Sequence, residues 1–205
     1  MRALVRILTV CTGNVCRSPL AEAILRSRLS EFDIDISSAG IRALVGDGMT
    51  EQTVELALAH GVTDENASIH RARLLTEEVL QDVDLVLAMG REHRRYIVEM
   101  MPSRLRSTFT IRELARLAAD VTDGELHAEL EGETDPRQRL RLALAFIASL
   151  RHMSDPPADP ADDDVLDPYG RSTRTYEISA SQLVPAVDGI ERIIRIALSP
   201  TGRRA

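Results

Sequence analysis

A cysteine and an arginine separated by five residues stand near the start of the chain, in the run Cys11-Thr12-Gly13-Asn14-Val15-Cys16-Arg17-Ser18-Pro19. That spacing lets the backbone N–H groups of Thr12, Gly13, Asn14, Val15 and Cys16 curl around a tetrahedral dianion, while a helix that follows points its positive end at the same spot. Gly13 and Asn14 suit the left-handed backbone such a curl needs. Arg17 can fork two hydrogen bonds onto the equatorial oxygens of a phosphate, a geometry lysine does not offer. The same dipoles act on Cys11. A free thiol has a pKa of about 8.5, and a helix N-terminus with a nearby cation lowers it to about 3.5–7.5, leaving a thiolate able to attack phosphorus. The Ser18 hydroxyl is suited to hold that thiolate and to assist its later departure. An isolated cysteine at a strand end would be an inert packing thiol. Here strand, Gly-Asn loop and Ser-Pro helix start fall in register, which favours the phosphate loop.

The elements that position this loop follow from hydrophobic pattern. Ala3 to Val10 is a Val, Leu and Ile run that predicts a buried strand. Ser18 and Pro19 offer an N-cap and first helical residue, with Leu20, Ile24 and Leu29 continuing at helical spacing. Further strands are expected over 34–39, 84–89 and 107–111, with helices over 50–60 and 92–101. Strands alternating with helices imply an α/β fold: an open parallel sheet of four strands with helices on both faces. Asp135-Pro136 starts another helix, whose Leu140, Ala143, Leu144, Ile147 and Leu150 share one face. Asp155 to Asp164 is rich in Asp and Pro and reads as a mobile loop. A last amphipathic segment carries Leu183, Val187, Ile190, Ile194 and Ala197, with Pro185 expected to kink or restart it. Thr201 to Ala205 reads as a frayed tail.

Composition narrows the class. The 205 residues, 44% hydrophobic, suit one domain spanning 1–205. A net charge of −7 argues against a broad grip on nucleic acid or anionic lipid. Only two cysteines, five positions apart, cannot staple a secreted scaffold, and the N-terminus lacks a signal-peptide pattern. No run approaches the roughly 20 apolar residues of a membrane span. A cytoplasmic protein without membrane insertion is expected. No metal or cofactor is implied, because ligand clusters are absent and the thiolate and Arg17 do the work of a cation.

The loop resembles the active-site signature of the low-molecular-weight protein tyrosine phosphatases. Ser38-Ala39-Gly40, Ile69-His70-Arg71-Ala72-Arg73 with Leu75-Thr76, Asp84-Leu85-Val86-Leu87 and the late Asp167-Pro168-Tyr169 extend the likeness over 3–111 and 165–198. It leaves out about 113–163, expected as an insertion of a helix plus an acidic loop. The resemblance implies a phosphate loop after the first of four parallel strands and hydrolysis of phosphotyrosine through a phosphocysteine. It gives Cys11 as nucleophile, Arg17 as dianion ligand and Asp167 as proton donor to the leaving oxygen and then base for water. Asp163 and Asp164 are rivals that lack the Pro-Tyr context. The resemblance also implies loop support from Asn14, Ser18, Ser38 and His70, with Tyr169 flanking the pocket. Cys16 would trap an oxidised Cys11 as a disulfide.

The stretch from Ser38 to Gly48 is similar to the bacterial branch paired with tyrosine autokinases of exopolysaccharide export, with an aliphatic pocket wall at Leu44. That implies a phosphotyrosine protein, including such an autokinase, as partner. Gly90 departs from the family, where an acidic residue is frequent. Arg91, His93, Arg94, Arg95, Arg104 and Arg106 read as one basic cluster, either a solvated helix face or a patch that steers an acidic phosphotyrosine tail. Protein arginine phosphatases of the same fold are the nearest rival, and they carry Thr at the place of Val15. Arsenate reduction needs further cysteines that the chain lacks. A non-catalytic phosphate-binding module would require a broken catalytic set.

Overall fold

The two most apolar runs, with side chains buried on both faces, take the centre of a sheet, and more polar strands flank them. In the computed structural model, which describes residues 5–152 and 156–199, these strands are β1 (Val5–Cys11), β2 (Ile34–Gly40), β3 (Leu85–Ala88) and β4 (Thr108–Thr110). They form one parallel sheet in the order β2-β1-β3-β4. Cys11 pairs with Gly40 and Val10 with Ala88, so the chemistry-bearing loop leaves the central strand at its C-terminal end. The first expected strand residue, Ala3, the first residue of the acidic segment, Asp155, and the tail Thr201 to Ala205 lie outside the described residues.

Helices cover both faces. They are α1 (Arg17–Arg28), α2 (Glu51–Ala59), α3 (Asp64–Ser68), α4 (Glu77–Leu80), α5 (Arg91–Met100), α6 (Ile111–Ala119), α7 (Asp123–Glu129), α8 (Pro136–Ser149) and α9 (Thr173–Leu198). The period of two sorts the strands. Ile7, Leu85 and Leu87 face a core shared with α1, α6, α8 and α9, whereas Leu8, Val86 and Ala88 face Leu75, Leu80 and Ile97.

Three expectations are corrected. The first helix starts at Arg17 with Cys16 as its cap residue, not at Ser18-Pro19. Pro19 therefore sits in the first turn, where a missing N–H leaves no helical bond unmade. Pro185 lies inside an uninterrupted 26-residue α9. Buried neighbours on both sides, Leu183, Ala186 and Val187, hold the helix through the lost bond, and Gly189 lets α6 approach so closely that an added Cβ would stand 3.2 Å from the Ala115 Cβ. The acidic segment, over the described 156–164, is anchored rather than mobile. Asp159 caps a tight turn at Pro160–Asp163, Asp163 pairs with Arg116 at 3.2 Å and Asp164 with Arg91 at 2.9 Å. Arginines on α5 and α6 supply the partners that composition could not reveal.

In the segment 113–163, Asp135 caps α8 by accepting from the Gln138 N–H, as its sequence predicts. The buried Arg139 of α8 makes no ion pair among the described residues. Its guanidinium donates to the carbonyls of Ala197, Ile196, Leu130 and Glu133, closing the C-terminal ends of α9 and α7, whose last carbonyls have no helical partner.

Candidate active site

The loop after β1 is built around Asn14. It adopts φ +58°, in the left-handed region expected for it, and its side chain is fully buried; Gly13, expected to share that conformation, does not adopt it. Its Nδ2 donates to Ser18 Oγ at 3.0 Å and Ser38 Oγ at 2.8 Å, and its Oδ1 accepts from the Arg73 N–H at 2.9 Å. Every polar atom of the amide is thereby satisfied, which fixes the loop's curl. The His70 Nε2 lies 2.7 Å from the Asn14 carbonyl. A carbonyl only accepts, so that nitrogen carries the proton. Ser38 Oγ donates to Glu22 at 2.6 Å.

Two donors converge on the buried Cys11 sulfur. The Asn14 N–H donates to it at 3.2 Å, and Ser18 Oγ lies 2.9 Å away. Because Asn14 already occupies a Ser18 lone pair, the serine hydrogen is free to point at sulfur. Both donors are placed to bond to this sulfur. Cys16 is also buried, but its thiol faces Tyr176 at 3.6 Å and Thr50 at 3.7 Å, and burial pushes its pKa up. Both thiols are free. Burial likewise pushes Tyr176 up to about 12.

Arg17, 5% exposed, is held from two directions. Its Nη1 donates to the Val165 carbonyl at 3.1 Å, and its Nη2 to Thr12 Oγ1 at 3.4 Å. The same Nη2 stands 2.6 Å from Asp167 Oδ2. The late loop is therefore fastened to the arginine of the early one. Asp167 Oδ1 accepts from the Tyr169 N–H at 3.3 Å, an Asx turn of the kind an Asp-Pro start favours. A cavity of about 200 Å³ gathers Cys11, Thr12, Gly13, Val15, Cys16 and Arg17 from the loop, with Arg42, Leu44, Asp167 and Tyr169 at its walls. The side chains of Asn14, Ser18, Ser38 and His70 are not among this lining; they bond to one another, to the Asn14 carbonyl or to the Cys11 sulfur. The rivals Asp163 and Asp164 are engaged by Arg116 and Arg91 and do not line this cavity.

Two features were not legible as site residues. His93, counted with the basic cluster, is 1% exposed and places Nε2 2.9 Å from Thr12 Oγ1. Burial first, and then the Arg17 charge, lower its pKa to about 4. The remainder of that cluster disperses: Arg94 donates to the Thr108 carbonyl, Arg95 pairs with Glu99, and Arg104 and Arg106 lie elsewhere. The second feature is Gly90. A Cβ there would stand 3.2 Å from Asp164 Oδ1, which accepts from the Arg91 N–H at 2.7 Å. The carboxylate that caps α5 thus arrives from a distant loop, and the Arg112 guanidinium and Met89 carbonyl hold the backbone of that loop. The i,i+3 signals of capping cannot reveal a cap 73 residues away.

Among the described residues no group of three or more His, Cys, Asp or Glu could hold a metal, and no helix is long and apolar enough to cross a membrane.

The sequence pattern described as low molecular weight phosphotyrosine protein phosphatase matches residues 6–131. The probable low molecular weight protein-tyrosine-phosphatase EpsP of Ralstonia solanacearum is 40% identical over 114 residues, which are 56% of this chain and 75% of that protein. Etp of Escherichia coli K12, a low molecular weight protein-tyrosine-phosphatase, is 41% identical over 96 residues, 47% of this chain and 62% of its own length. The crystal structure of a low molecular weight protein tyrosine phosphatase from T. tengcongensis superposes with a TM-score of 0.62 at 30% identity, covering 91% of this chain and 97% of that one. The YwlE arginine phosphatase of Geobacillus stearothermophilus shares the fold, with a TM-score of 0.61 at 23% identity over 92% of this chain and 91% of its own.

Proposed function

The chain belongs to the low molecular weight phosphotyrosine protein phosphatase family, and on that premise we propose that it hydrolyses phosphotyrosine in proteins, with Cys11 as nucleophile, Arg17 as phosphate ligand and Asp167 as acid and base. The observation that carries this reading is the Cys11 sulfur beneath a cavity whose other wall holds the Asp167 carboxylate, 2.6 Å from Arg17. A phosphate dianion takes the Arg17 fork and the loop N–H groups, competing with Asp167 for the guanidinium and releasing that carboxyl toward the leaving oxygen. The sulfur lone pair forms the S–P bond as the P–O bond to the phenol breaks. Once off Arg17, Asp167 takes a proton from solvent and gives it to the departing oxygen, which would otherwise leave as a phenolate of pKa about 10. A water then loses its proton to Asp167 and bonds to phosphorus, and the S–P electron pair returns to Cys11, where Ser18 and the Asn14 N–H receive the charge.

Substrate choice follows from the walls. Val15 and Leu44 pack together in an apolar cluster with Ala72 and Tyr176, and Tyr169 stands half-exposed at the rim. Such walls accept a phenyl ring more readily than a charged guanidinium. The partner is a phosphotyrosine protein, a bacterial tyrosine autokinase among them. The working compartment is the cytoplasm, where the two thiols stay reduced. Residues 113–163 are an insertion into a single phosphatase domain spanning 1–205; the packing of α8 against α9 supports this.

The test is single-turnover hydrolysis of p-nitrophenyl phosphate, phosphotyrosine and phosphoarginine by the wild type and Cys11→Ser. A burst with phosphotyrosine that vanishes in Cys11→Ser is expected. No burst with any substrate overturns the enzyme reading, leaving a phosphate-binding module. Faster turnover of phosphoarginine transfers the assignment to arginine phosphatase.

A further inference from the structure

Arg104 and Arg106 lie at the opposite end of the sheet from Cys11. All four strands are parallel, Cys11 closes β1, and the loop bearing these arginines enters β4. Between that loop and α8 lies a cavity of about 820 Å³, with Leu105 and Leu144 in its lining and Arg104, Arg106, Arg141 and Arg151 around them. Among the described residues Asp84 is the one carboxylate of the lining. It is buried and already shared by Arg137 at 2.9 Å and Arg141 at 3.2 Å. Four guanidiniums thus gather here in a chain whose net charge is −7, although Arg151 also pairs with Glu113 at 2.9 Å and Arg104 donates to the Val83 carbonyl. Arg106 is exposed and makes no ion pair among the described residues, and the buried Nη2 of Arg151 has no hydrogen-bond partner. Leu105 is 48% exposed beside them. Burial pulls the Arg104 guanidinium below its ordinary value; the Asp84 and Asp82 charges oppose this, and the Arg141 and Arg137 charges add to it more weakly.

A site with unspent cationic donors and apolar walls fits a ligand that carries several negative charges on an aliphatic framework. Among the described residues nothing aromatic lines the cavity, which offers a nucleobase no stacking surface there. An extended acidic peptide meets both demands, since successive side chains point to opposite sides. We propose that this cavity docks an acidic, leucine-bearing segment of the phosphoprotein substrate, its aliphatic side chains against Leu105 and Leu144 and its carboxylates on the arginines. The proposal rests on the phosphotyrosine reading for the owner of the segment, while the recognition itself is separate from Cys11. Residues of the segment 113–163 supply half of the cavity, which gives that segment a binding role. Docking at one end of the sheet raises the local concentration of phosphotyrosine at the other.

The test uses the full chain with Cys11→Ser and a fluorescein-labelled, unphosphorylated Glu-Glu-Leu-Glu-Glu-Leu-Glu peptide, read by fluorescence anisotropy. Arg106→Glu and Leu105→Glu, both at exposed positions, are expected to weaken binding about tenfold each. Saturating inorganic phosphate leaves the binding intact. In the Cys11-bearing protein the same two variants keep wild-type turnover of p-nitrophenyl phosphate, but lose about tenfold in kcat/KM for a phosphotyrosine peptide extended by this acidic segment. Equal peptide affinity in wild type and Arg106→Glu overturns the proposal. So does displacement of the peptide by phosphate, or binding of phosphatidylglycerol vesicles in place of the peptide. Binding is measured on a chain that cannot turn over, so an inactive wild type would refute the catalytic reading and leave the docking result to stand by itself.

Discussion

Burial of His93 against the phosphate loop makes a quantitative prediction about stability and pH. The imidazole is 1% exposed, beside the Arg17 cation, and its pKa falls from 6.5 to about 4. The Asp164 charge pulls the other way without offsetting this, and the exposed Glu92 carboxylate lies 3.4 Å from Nε2. The folded value lies below the unfolded one, so between pH 6.5 and 4 the unfolded chain binds a proton that the fold refuses. Stability contributed by the neutral ring is complete above pH 6.5, is lost as pH falls through that window, and changes no further below about 4. At about 1.4 kcal/mol per pKa unit, the full difference is about 3 kcal/mol. The perturbation is His93→Gln, which keeps an amide near Thr12 and removes the titration. Urea unfolding of both proteins at half-unit steps from pH 7.5 to 4 gives the assay. The wild type should lose about 2–3 kcal/mol more than the variant over this range, carboxylate titrations cancelling in the difference. Equal pH dependence in the two proteins, or a His93 ring whose NMR titration has its midpoint near 6.5, refutes the reasoning.

Asp167→Asn should cut kcat/KM for phosphotyrosine by about 10²–10⁴ while leaving 2,4-dinitrophenyl phosphate, whose leaving group needs no proton, nearly untouched; equal losses on both esters would count against the acid role. Replacing Arg139 with Met strands the terminal carbonyls of α9 and α7 and should lower stability by about 2–4 kcal/mol, read from the urea midpoint, with a loss below about 1 kcal/mol showing that those bonds matter little. Peroxide inactivation of the wild type should reverse with a thiol reductant, through a Cys11–Cys16 disulfide that requires the Cys16 side chain to turn away from Tyr176. Cys16→Ser should remove most of that recovery, and full recovery in the variant would exclude Cys16 as the trap.

The sequence by itself determined the sheet and the loop, because both are encoded locally. Alternation of Leu85, Val86, Leu87 and Ala88 between two cores needs only period two, and the curl at Asn14 needs only a residue tolerant of positive φ within a Cys-to-Arg spacing of six positions. The register Cys11 with Gly40 then carries the loop to the C-terminal end of the central strand. What only the tertiary structure decided depends on pairs far apart in the chain. The fastening of Asp167 to Arg17 spans the whole fold, and so does the cap that Asp164 supplies at Gly90. Composition alone makes Asp155 to Asp164 a mobile loop and Arg91 to Arg106 a basic cluster on a solvated face or steering patch, because composition records sign but not partner. Burial of His93 reversed its reading from cation to neutral support, and the gathering of Arg104, Arg106, Arg141 and Arg151 turned scattered arginines into one cavity. Local pattern fixes which way a side chain points. Whether a charge there is solvated, paired or neutralised is set by what the rest of the chain brings against it.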